Sequence, residues 1–279
     1  MTRFLRVRVL GHDVRVAVRP GTAPGPPLVI CNGIGASLDL LQPFIDQLDP
    51  RIEVVRFDVP GVGGSPPPKI PYNFALLACL VGALVERLGH DRFDVLGISW
   101  GGGLAQQVAF QYPRRCRRLV LVSTGTGMLM VPAHPRVLSK MLTPRRYRDP
   151  VYAKSIAPTL YGGQMRRQPD EVRHVVYEQE RLGPRAGYFL QLLAGVGWSS
   201  LPVLPLIRQP TLILAGIDDP LIPLINARIM HALLPHSALH VYNDGHLGLI
   251  TAAAELGPLV SRFLTSDKAD HSPEHPLDE

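Results

Sequence analysis

The sequence predicts an α/β fold in which a mainly parallel sheet of eight strands is flanked by helices on both faces. Three observations lead to this prediction. Short apolar runs alternate with helical stretches as far as residue 123. Between residues 126 and 205 no run is typical of a buried strand, and Pro and Gly interrupt the helical stretches. Two further apolar runs then complete the sheet, so the insertion is expected to form a helical cap over the carboxyl ends of the strands.

The strands are predicted from short alternating or continuously apolar runs. An amino-terminal hairpin is expected from the alternating residues 4–10 and 14–18, which surround a Gly-His-Asp turn. Continuous apolar runs predict buried strands over residues 28–31, 53–57, 93–98, 119–123, 211–215 and 238–242. Helical patterns between the earlier strands predict helices over residues 38–48, 72–88 and 103–110.

The cap and the end of the chain are less regular. Residues 170–182 and 187–194 predict cap helices, and residues 249–264 predict a final helix. Residues 266–279 are polar and contain proline, so we expect a disordered tail. The predicted domains are a core of residues 1–125 and 206–265, a cap of residues 126–205, and this tail.

The composition excludes several classes of protein. The chain has 279 residues, 46% hydrophobic and 19% charged, which suffices for a large core. No run approaches the roughly 18 apolar residues that a membrane helix needs, and the alternating amino terminus does not resemble a signal peptide. We therefore expect a cytoplasmic protein without integral membrane association. It carries no nucleic-acid motif, and the cap's eleven Lys or Arg against five Asp or Glu are typical of a solvated face.

The segment Gly97-Ile98-Ser99-Trp100-Gly101 lies where a predicted strand passes into a predicted helix. This is the setting of a nucleophile elbow, in which the turn strains the serine backbone and leaves no room for side chains two residues away. The two glycines occupy those positions. The other interpretation, a glycine-rich turn with a spectator serine, is disfavoured by the strand before it and the helix after it.

A serine hydroxyl becomes a good nucleophile when a base takes its proton and an acid orients that base. In folds with such an elbow the chain order is serine, acid, histidine. His246 is the candidate base, because it follows a glycine on the loop after the last predicted strand. The acid is expected on the loop after strand 211–215, which offers both Asp218 and Asp219.

A glycine-rich turn, Asn32-Gly33-Ile34-Gly35, directly follows the predicted strand 28–31. Such a turn can direct backbone N–H groups toward the site where negative charge develops on an attacked carbonyl oxygen. We expect the N–H groups of Ile34 and of Trp100, the residue after the serine, to form an oxyanion hole. Without the other motifs, this segment would be interpreted as an ordinary turn.

Residues 4–264 resemble the α/β hydrolases and, in detail, the bacterial intracellular depolymerases of medium-chain-length polyhydroxyalkanoates. The matching segments are residues 31–36, 57–63, 97–102, 215–220 and 243–246. The tryptophan after the serine and the Asn-Gly-Ile-Gly turn are the most particular features. The family's G-x-x-D-x-x-x-P pattern implies that Asp219 is the acid. Asn32 replaces a histidine common in the wider fold, which should not matter because the turn donates through its backbone.

The resemblance implies hydrolysis of a storage polyester to 3-hydroxy acids or short oligomers at the surface of cytoplasmic granules. The implied partners are the hydrophobic polyester, the granule surface and granule-coat proteins. No cofactor or metal is expected, since the three cysteines lack metal-like spacing. The following cap residues are expected to line an apolar cleft, with packing inside the cap as the alternative for each: Met128, Leu129, Met130, Phe189 and Trp198.

Two other functions remain open on the sequence alone. A small-molecule carboxylesterase, or a hydrolase of C–C bonds, would use the same three residues. A non-catalytic granule-associated or ligand-binding protein could share the scaffold, although the complete Ser–Asp–His set argues against it. Labelling of Ser99 by a fluorophosphonate would exclude this last interpretation.

Overall fold

The computed structural model describes residues 1–170 and 183–266. Its strands are β1 Arg3–Val9, β2 His12–Arg19, β3 Leu28–Cys31, β4 Val54–Phe57, β5 Phe93–Ile98, β6 Cys116–Val122, β7 Thr211–Gly216 and β8 Ser237–Tyr242. They form one sheet in the order β1-β2-β4-β3-β5-β6-β7-β8. β2 is antiparallel to β1 and to β4, and the remaining neighbours are parallel. The predicted eight-stranded, mainly parallel sheet is confirmed.

Helices cover the sheet on both faces. Those of the core are α1 Gln42–Asp46, α2 Phe74–Arg87, α3 Trp100–Gln111, α8 Ile225–Leu233, α9 Gly248–Thr251 and α10 Ala253–Thr265. Those between residues 126 and 205 are α4 Pro135–Leu138, α5 Pro150–Tyr161, α6 Gly163–Arg167 and α7 Arg185–Ala194, with 3₁₀ segments at Ser139–Met141, Pro144–Tyr147 and Leu201–Leu206.

The hydrophobic core forms two layers because successive residues of a strand point to opposite faces of the sheet. In β5, Val95 packs in the layer that contains Leu104 of α3, whereas Leu96 packs in the layer that contains Phe44 of α1 and Val260 of α10. The parallel strands share one direction, so the loops after β3, β5, β7 and β8 meet at the same edge of the sheet. The predicted site residues of the core lie on these loops.

Two helix predictions need correction, and one helix was missed. The helix predicted over residues 38–48 is limited to α1, whose second residue is Pro43; proline lacks the N–H that a helix interior needs and is tolerated in the first turn. The final helix is divided into α9 and α10 at Ala252, where φ is −116° and ψ is 28°. Helix α8 was not predicted at all.

The predicted cap has a small apolar cluster of its own. Ile156, Leu160 and Met165 pack with Leu221 and Leu247 from the loops of the core. In the described part of residues 126–205, strand pairing is limited to a single bridge between residues 127 and 199. The domain boundaries stay predictions. The helix predicted from residue 170 and the tail predicted from residue 266 lie outside the described residues, apart from their first residues.

None of the described helices is both long enough and apolar enough to cross a bilayer.

Candidate active site

Ser99 lies between the end of β5 and the start of α3, with φ 54° and ψ −122°. This left-handed backbone conformation is strained for a residue with a side chain. A Cβ on Gly97 would collide with the Gly101 carbonyl, and a Cβ on Gly101 would collide with the Cys31 carbonyl. Thr124 Oγ1 donates to the Ser99 carbonyl at 2.7 Å. Glycine is therefore required at both positions, because any side chain there would collide with the backbone. The turn places the serine at the edge of the sheet.

Asp219 and His246 form a buried hydrogen-bonded pair. His246 Nδ1 lies 2.8 Å from Asp219 Oδ2, and the two residues are only 4% and 7% exposed. The second carboxylate oxygen of Asp219 accepts hydrogen bonds from the Leu221 and Ile222 N–H groups, both at 2.9 Å. These bonds fix the carboxylate, and the carboxylate engages Nδ1, so Nε2 is the imidazole nitrogen available for proton transfer.

Asp218, the alternative acid, has different contacts. Its Oδ2 accepts from the Gly163 N–H at 2.8 Å, and its Oδ1 pairs with Arg166 at 3.1 Å. Both partners belong to α6. The structure therefore brings Asp219 to the histidine and leaves Asp218 to attach the cap to the loop after β7.

The loop that carries His246 is also held by the cap. The His246 N–H donates to the Tyr161 carbonyl at 2.7 Å, and the two rings stack with centroids 6.4 Å apart. Burial raises the pKa of the Tyr161 hydroxyl, which keeps this ring neutral beside the imidazole. Asp244 Oδ1 accepts from the Gln164 N–H at 2.6 Å. Sequence reasoning missed these contacts, since a carbonyl at the end of a cap helix leaves no pattern in the sequence.

The glycine-rich turn after β3 passes directly beside Ser99. A Cβ built on Gly33 would lie 3.6 Å from Ser99 Cβ. Asn32 Nδ2 donates to the Ser37 carbonyl at 2.8 Å and closes the turn. Within the residues that the structure describes, the backbone N–H groups of Ile34 and Trp100 donate no hydrogen bond. The geometry is compatible with the predicted oxyanion hole, whose role stays a prediction.

Two pockets adjoin Ser99. We call the first the histidine pocket; it is lined by Ser99, His246, Leu40, Met141, Tyr147 and Leu221, together with neighbouring residues. We call the second the tryptophan pocket; it is lined by Ser99, Trp100, Phe74, Met130, Trp198 and Ile222, together with neighbouring residues. The residues that line each pocket are mainly apolar. A substrate with two apolar arms could therefore place its reactive carbon at Ser99.

The predicted cap residues divide into two groups. Trp198 lines the tryptophan pocket with Met130, and its Nε1 donates to Gln107 Oε1 at 2.7 Å. Met128, Leu129 and Phe189 line neither pocket, and they are 64%, 60% and 47% exposed. For these three, a role in lining the cleft stays a prediction.

The exposed positions of these residues differ in their local structure. Met128 and Leu129 directly follow Gly127, which has φ 79° and forms the bridge to residue 199. In α7 the buried side is that of Tyr188 and Gln191, and each residue of a helix is rotated about 100° from the previous one. Phe189 consequently faces solvent.

In the described parts of the chain, no group of three or more His, Cys, Asp or Glu could hold a metal ion. Cys31 and Cys116 are buried free thiols, and Cys79 is partly exposed. Burial raises the pKa of the Cys31 and Cys116 thiols. Since metal binding requires the thiolate, these two residues are poor ligands.

Comparisons with known proteins show the family to which the chain belongs. A family model described as the alpha/beta hydrolase fold matches residues 26–253. A curated poly(3-hydroxyalkanoate) depolymerase of Ectopseudomonas oleovorans is 49% identical over 266 residues, which cover 95% of this chain and 93% of that protein. The 3-oxoadipate enol-lactonase 2 of Acinetobacter baylyi is 25% identical, over 81% of this chain and 84% of that protein.

Solved structures show the same fold. The enol-lactonase from Burkholderia xenovorans LB400 superposes with a TM-score of 0.78 and 22% identity. The match covers 94% of this chain and 100% of that chain. A thermophilic esterase from Thermogutta terrifontis superposes with a TM-score of 0.77 and 21% identity, over 94% and 98% of the two chains. At this identity the similarity concerns the fold alone.

Proposed function

Because this chain belongs to the α/β hydrolase family, we propose that it is a serine hydrolase that cleaves the ester bonds of intracellular medium-chain-length poly(3-hydroxyalkanoate). The products are 3-hydroxy acids or short oligomers. One observation carries the proposal: Ser99 stands on its elbow between two apolar pockets, in a chain that is 49% identical to a poly(3-hydroxyalkanoate) depolymerase.

In the first half of the reaction, Ser99 Oγ attacks the carbonyl carbon of an ester bond. His246 Nε2 accepts the hydroxyl proton, while Asp219 holds the tautomer with its hydrogen on Nδ1 and stabilises the imidazolium. The tetrahedral oxyanion accepts hydrogen bonds from the Ile34 and Trp100 N–H groups. When the C–O bond breaks, the imidazolium protonates the leaving oxygen, which becomes the hydroxyl end of the departing chain.

In the second half, water hydrolyses the acyl-enzyme. His246 Nε2 takes a proton from the water, whose oxygen attacks the ester carbonyl of acylated Ser99. The second tetrahedral intermediate uses the same two N–H groups. Its collapse returns the proton to Ser99 Oγ and releases a carboxylic acid. The cycle needs no metal or cofactor, because proton transfer and backbone hydrogen bonds supply all of the chemistry.

The apolar pockets support an alkyl-bearing substrate. Each methylene buried in such a pocket contributes about 0.8 kcal/mol to binding. Repeating units of the polyester carry one alkyl side chain on each side of the bond to be cleaved, and the histidine and tryptophan pockets offer one apolar wall for each. Longer side chains therefore gain more from this site than methyl groups do.

Attachment to the granule surface is supported by the outer face of α7. Phe189 and Leu193 lie four residues apart on this helix and are 47% and 51% exposed, and Val196, just beyond its end, is 69% exposed. Exposed apolar groups gathered on one face are typical of binding surfaces. We propose that this face contacts the polyester granule and its coat proteins, so that the protein acts at the granule surface in the cytoplasm.

Hydrolysis of small esters or C–C bonds is the second candidate. Curated relatives with such activities are 25% identical (an enol-lactonase) and 28% identical (a 2-hydroxy-6-oxononadienedioate hydrolase), against 49% for the depolymerase. The histidine pocket includes the buried Arg146, but both pockets are mainly apolar, which favours an alkyl chain over a small polar substrate. The depolymerase function is therefore preferred.

The test is turnover of amorphous granules of medium-chain polyester by the purified protein. We expect release of 3-hydroxy acids or their oligomers, identified by mass spectrometry, and none from the Ser99→Ala variant. Hydrolysis of p-nitrophenyl esters without any release from granules would favour the small-molecule esterase.

A further inference from the structure

The peptide group between Ile34 and Gly35 is held at both of its ends by the cap. Tyr147 Oη donates to the Ile34 carbonyl at 2.7 Å, and Arg146 Nη2 approaches the same oxygen at 3.4 Å. At the other end, the Gly35 N–H donates to Gln191 Oε1 at 2.7 Å. A peptide group is planar, so hydrogen bonds at both ends fix the orientation of the whole plane.

This plane adjoins the N–H of Ile34 that the proposed mechanism uses. The Ile34 N–H belongs to the preceding peptide, whose carbonyl, that of Gly33, accepts from the Ala36 N–H at 3.2 Å. The two planes are joined at the Ile34 Cα, and only two torsion angles relate them. Fixing the second plane therefore restricts the direction in which the Ile34 N–H points.

Gln191 also contacts the residue that supplies the other N–H group. The indole N–H of Trp100 donates to the Gln191 backbone carbonyl at 2.8 Å. One residue of α7 thus binds the glycine-rich turn through its side chain and Trp100 through its main chain. Gln191 is 1% exposed, so both bonds lie away from competing water.

We propose that Gln191 and Tyr147 are positioning residues that hold the oxyanion hole in its working geometry, so that the hole is complete only with the cap in place. The inference rests on the proposed serine-hydrolase chemistry, and it does not depend on which ester is the substrate. Neither side chain donates to the oxyanion itself. Both act through the backbone of residues 34 and 35.

The first test is the Gln191→Met variant, assayed with p-nitrophenyl butyrate. Methionine retains the length and the backbone carbonyl but removes the acceptor for the Gly35 N–H. Loss of a direct oxyanion donor costs about 10²- to 10³-fold in kcat, and for loss of its support we expect a decrease of about 10-fold with KM changed less than about twofold. Tyr147→Phe removes the bond at the other end of the same peptide and keeps the ring, so it should lower kcat in the same way.

A second readout separates positioning from general destabilisation. A trifluoromethyl ketone adds to Ser99 and forms a tetrahedral oxyanion, so its affinity depends on the hole. Its Ki should rise about in proportion to the loss of kcat/KM in both variants. Gln209→Met is the matched control: Gln209 is also buried and donates to the Ala109 carbonyl at 2.8 Å, away from the site. This control should lower the melting temperature without changing kcat or Ki.

The inference is supported if Gln191→Met and Tyr147→Phe lose kcat and inhibitor affinity together while folded, as judged by near-UV circular dichroism. It is overturned if folded samples of either variant retain wild-type kcat and Ki, or if Gln209→Met loses both to the same extent. Failure of the proposed polyester substrate would appear differently, as wild-type activity on the p-nitrophenyl ester without activity on granules.

Discussion

The neighbouring residues Asp218 and Asp219 have different partners and different exposure. Asp219 faces His246 and is fixed by two backbone N–H groups, whereas Asp218 faces α6 and pairs with Arg166. The Asp218 side chain is 41% exposed and that of Asp219 is 1% exposed. An exposed ion pair contributes little to stability, while a buried acid–imidazole bond fixes the tautomer on which proton transfer depends.

Asp219→Asn is expected to lower kcat on p-nitrophenyl octanoate by about 10³- to 10⁴-fold, because the amide favours the wrong imidazole tautomer. Asp218→Asn, the matched control at the adjacent position, should change kcat less than about threefold, since a screened surface pair is worth about 1 kcal/mol or less. Steady-state kinetics of both variants decides the assignment. The opposite ranking would make Asp218 the acid.

Ser99→Ala and His246→Ala should each lower kcat for ester hydrolysis by about 10⁶-fold to a residual rate, because each removes a partner of the acyl-transfer step. Residues that act as a unit show losses that do not add. The double variant should therefore be no slower than the worse single variant, with circular dichroism verifying the fold of all three. A double variant slower by the product of the two single effects would indicate separate mechanisms.

Activity should be unchanged after prolonged incubation with EDTA, because the proposed cycle uses side-chain proton transfer and backbone hydrogen bonds. The hydrolysis rate before and after dialysis against the chelator measures this. A loss that a divalent cation restores would contradict the proposed mechanism.

At the scale of elements, the sequence predicts best what depends on local pattern. The apolar runs of β3, β5 and β7 and the glycines around Ser99 are local signals, and the structure has these elements where they were predicted. Helix α7 was also predicted, over residues 187–194. The buried face of α7 was not predicted, because it is determined by contacts of Gln191 with Gly35 and Trp100. These two residues lie 156 and 91 residues away from Gln191 in the chain. Contacts of this kind leave no periodicity to detect.

Close packing of α7 against the core depends on Gly187. A Cβ at this position would collide with the Gly61 backbone. Gly187→Ala should therefore destabilise the protein by about 2 kcal/mol through overpacking and lower the melting temperature by about 5 °C. It should also lower kcat, since α7 carries Gln191.

Gly195→Ala, at the residue that directly follows α7, is the matched control for this effect. A Cβ there would find only the Leu192 carbonyl, at an ordinary contact distance of 3.5 Å. Differential scanning calorimetry of the two variants should show a lower melting temperature for Gly187→Ala alone. Equal melting temperatures would show that α7 does not dock through this glycine.

At the scale of the whole molecule, the cap and the core together build the site. The loop after β7 binds α6, the loop after β8 binds the end of α5, and the turn after β3 binds α7. The two pockets that adjoin Ser99 are mainly apolar, and α7 carries exposed apolar side chains on its outer face. On the proposed function, we expect a bound polymer segment to be selected by the length of its alkyl side chains.

The specificity constant for medium-chain against short-chain 3-hydroxyacyl esters tests this account most directly. With active-site-titrated enzyme, kcat/KM should be about 10- to 100-fold higher for medium-chain polyester than for poly(3-hydroxybutyrate), because three or four further methylenes are buried incompletely at about 0.8 kcal/mol each. Likewise, kcat/KM should be higher for p-nitrophenyl octanoate than for p-nitrophenyl acetate. The Ser99→Ala variant supplies the blank. Equal specificity constants for short and medium substrates would contradict a medium-chain polyester function for this site.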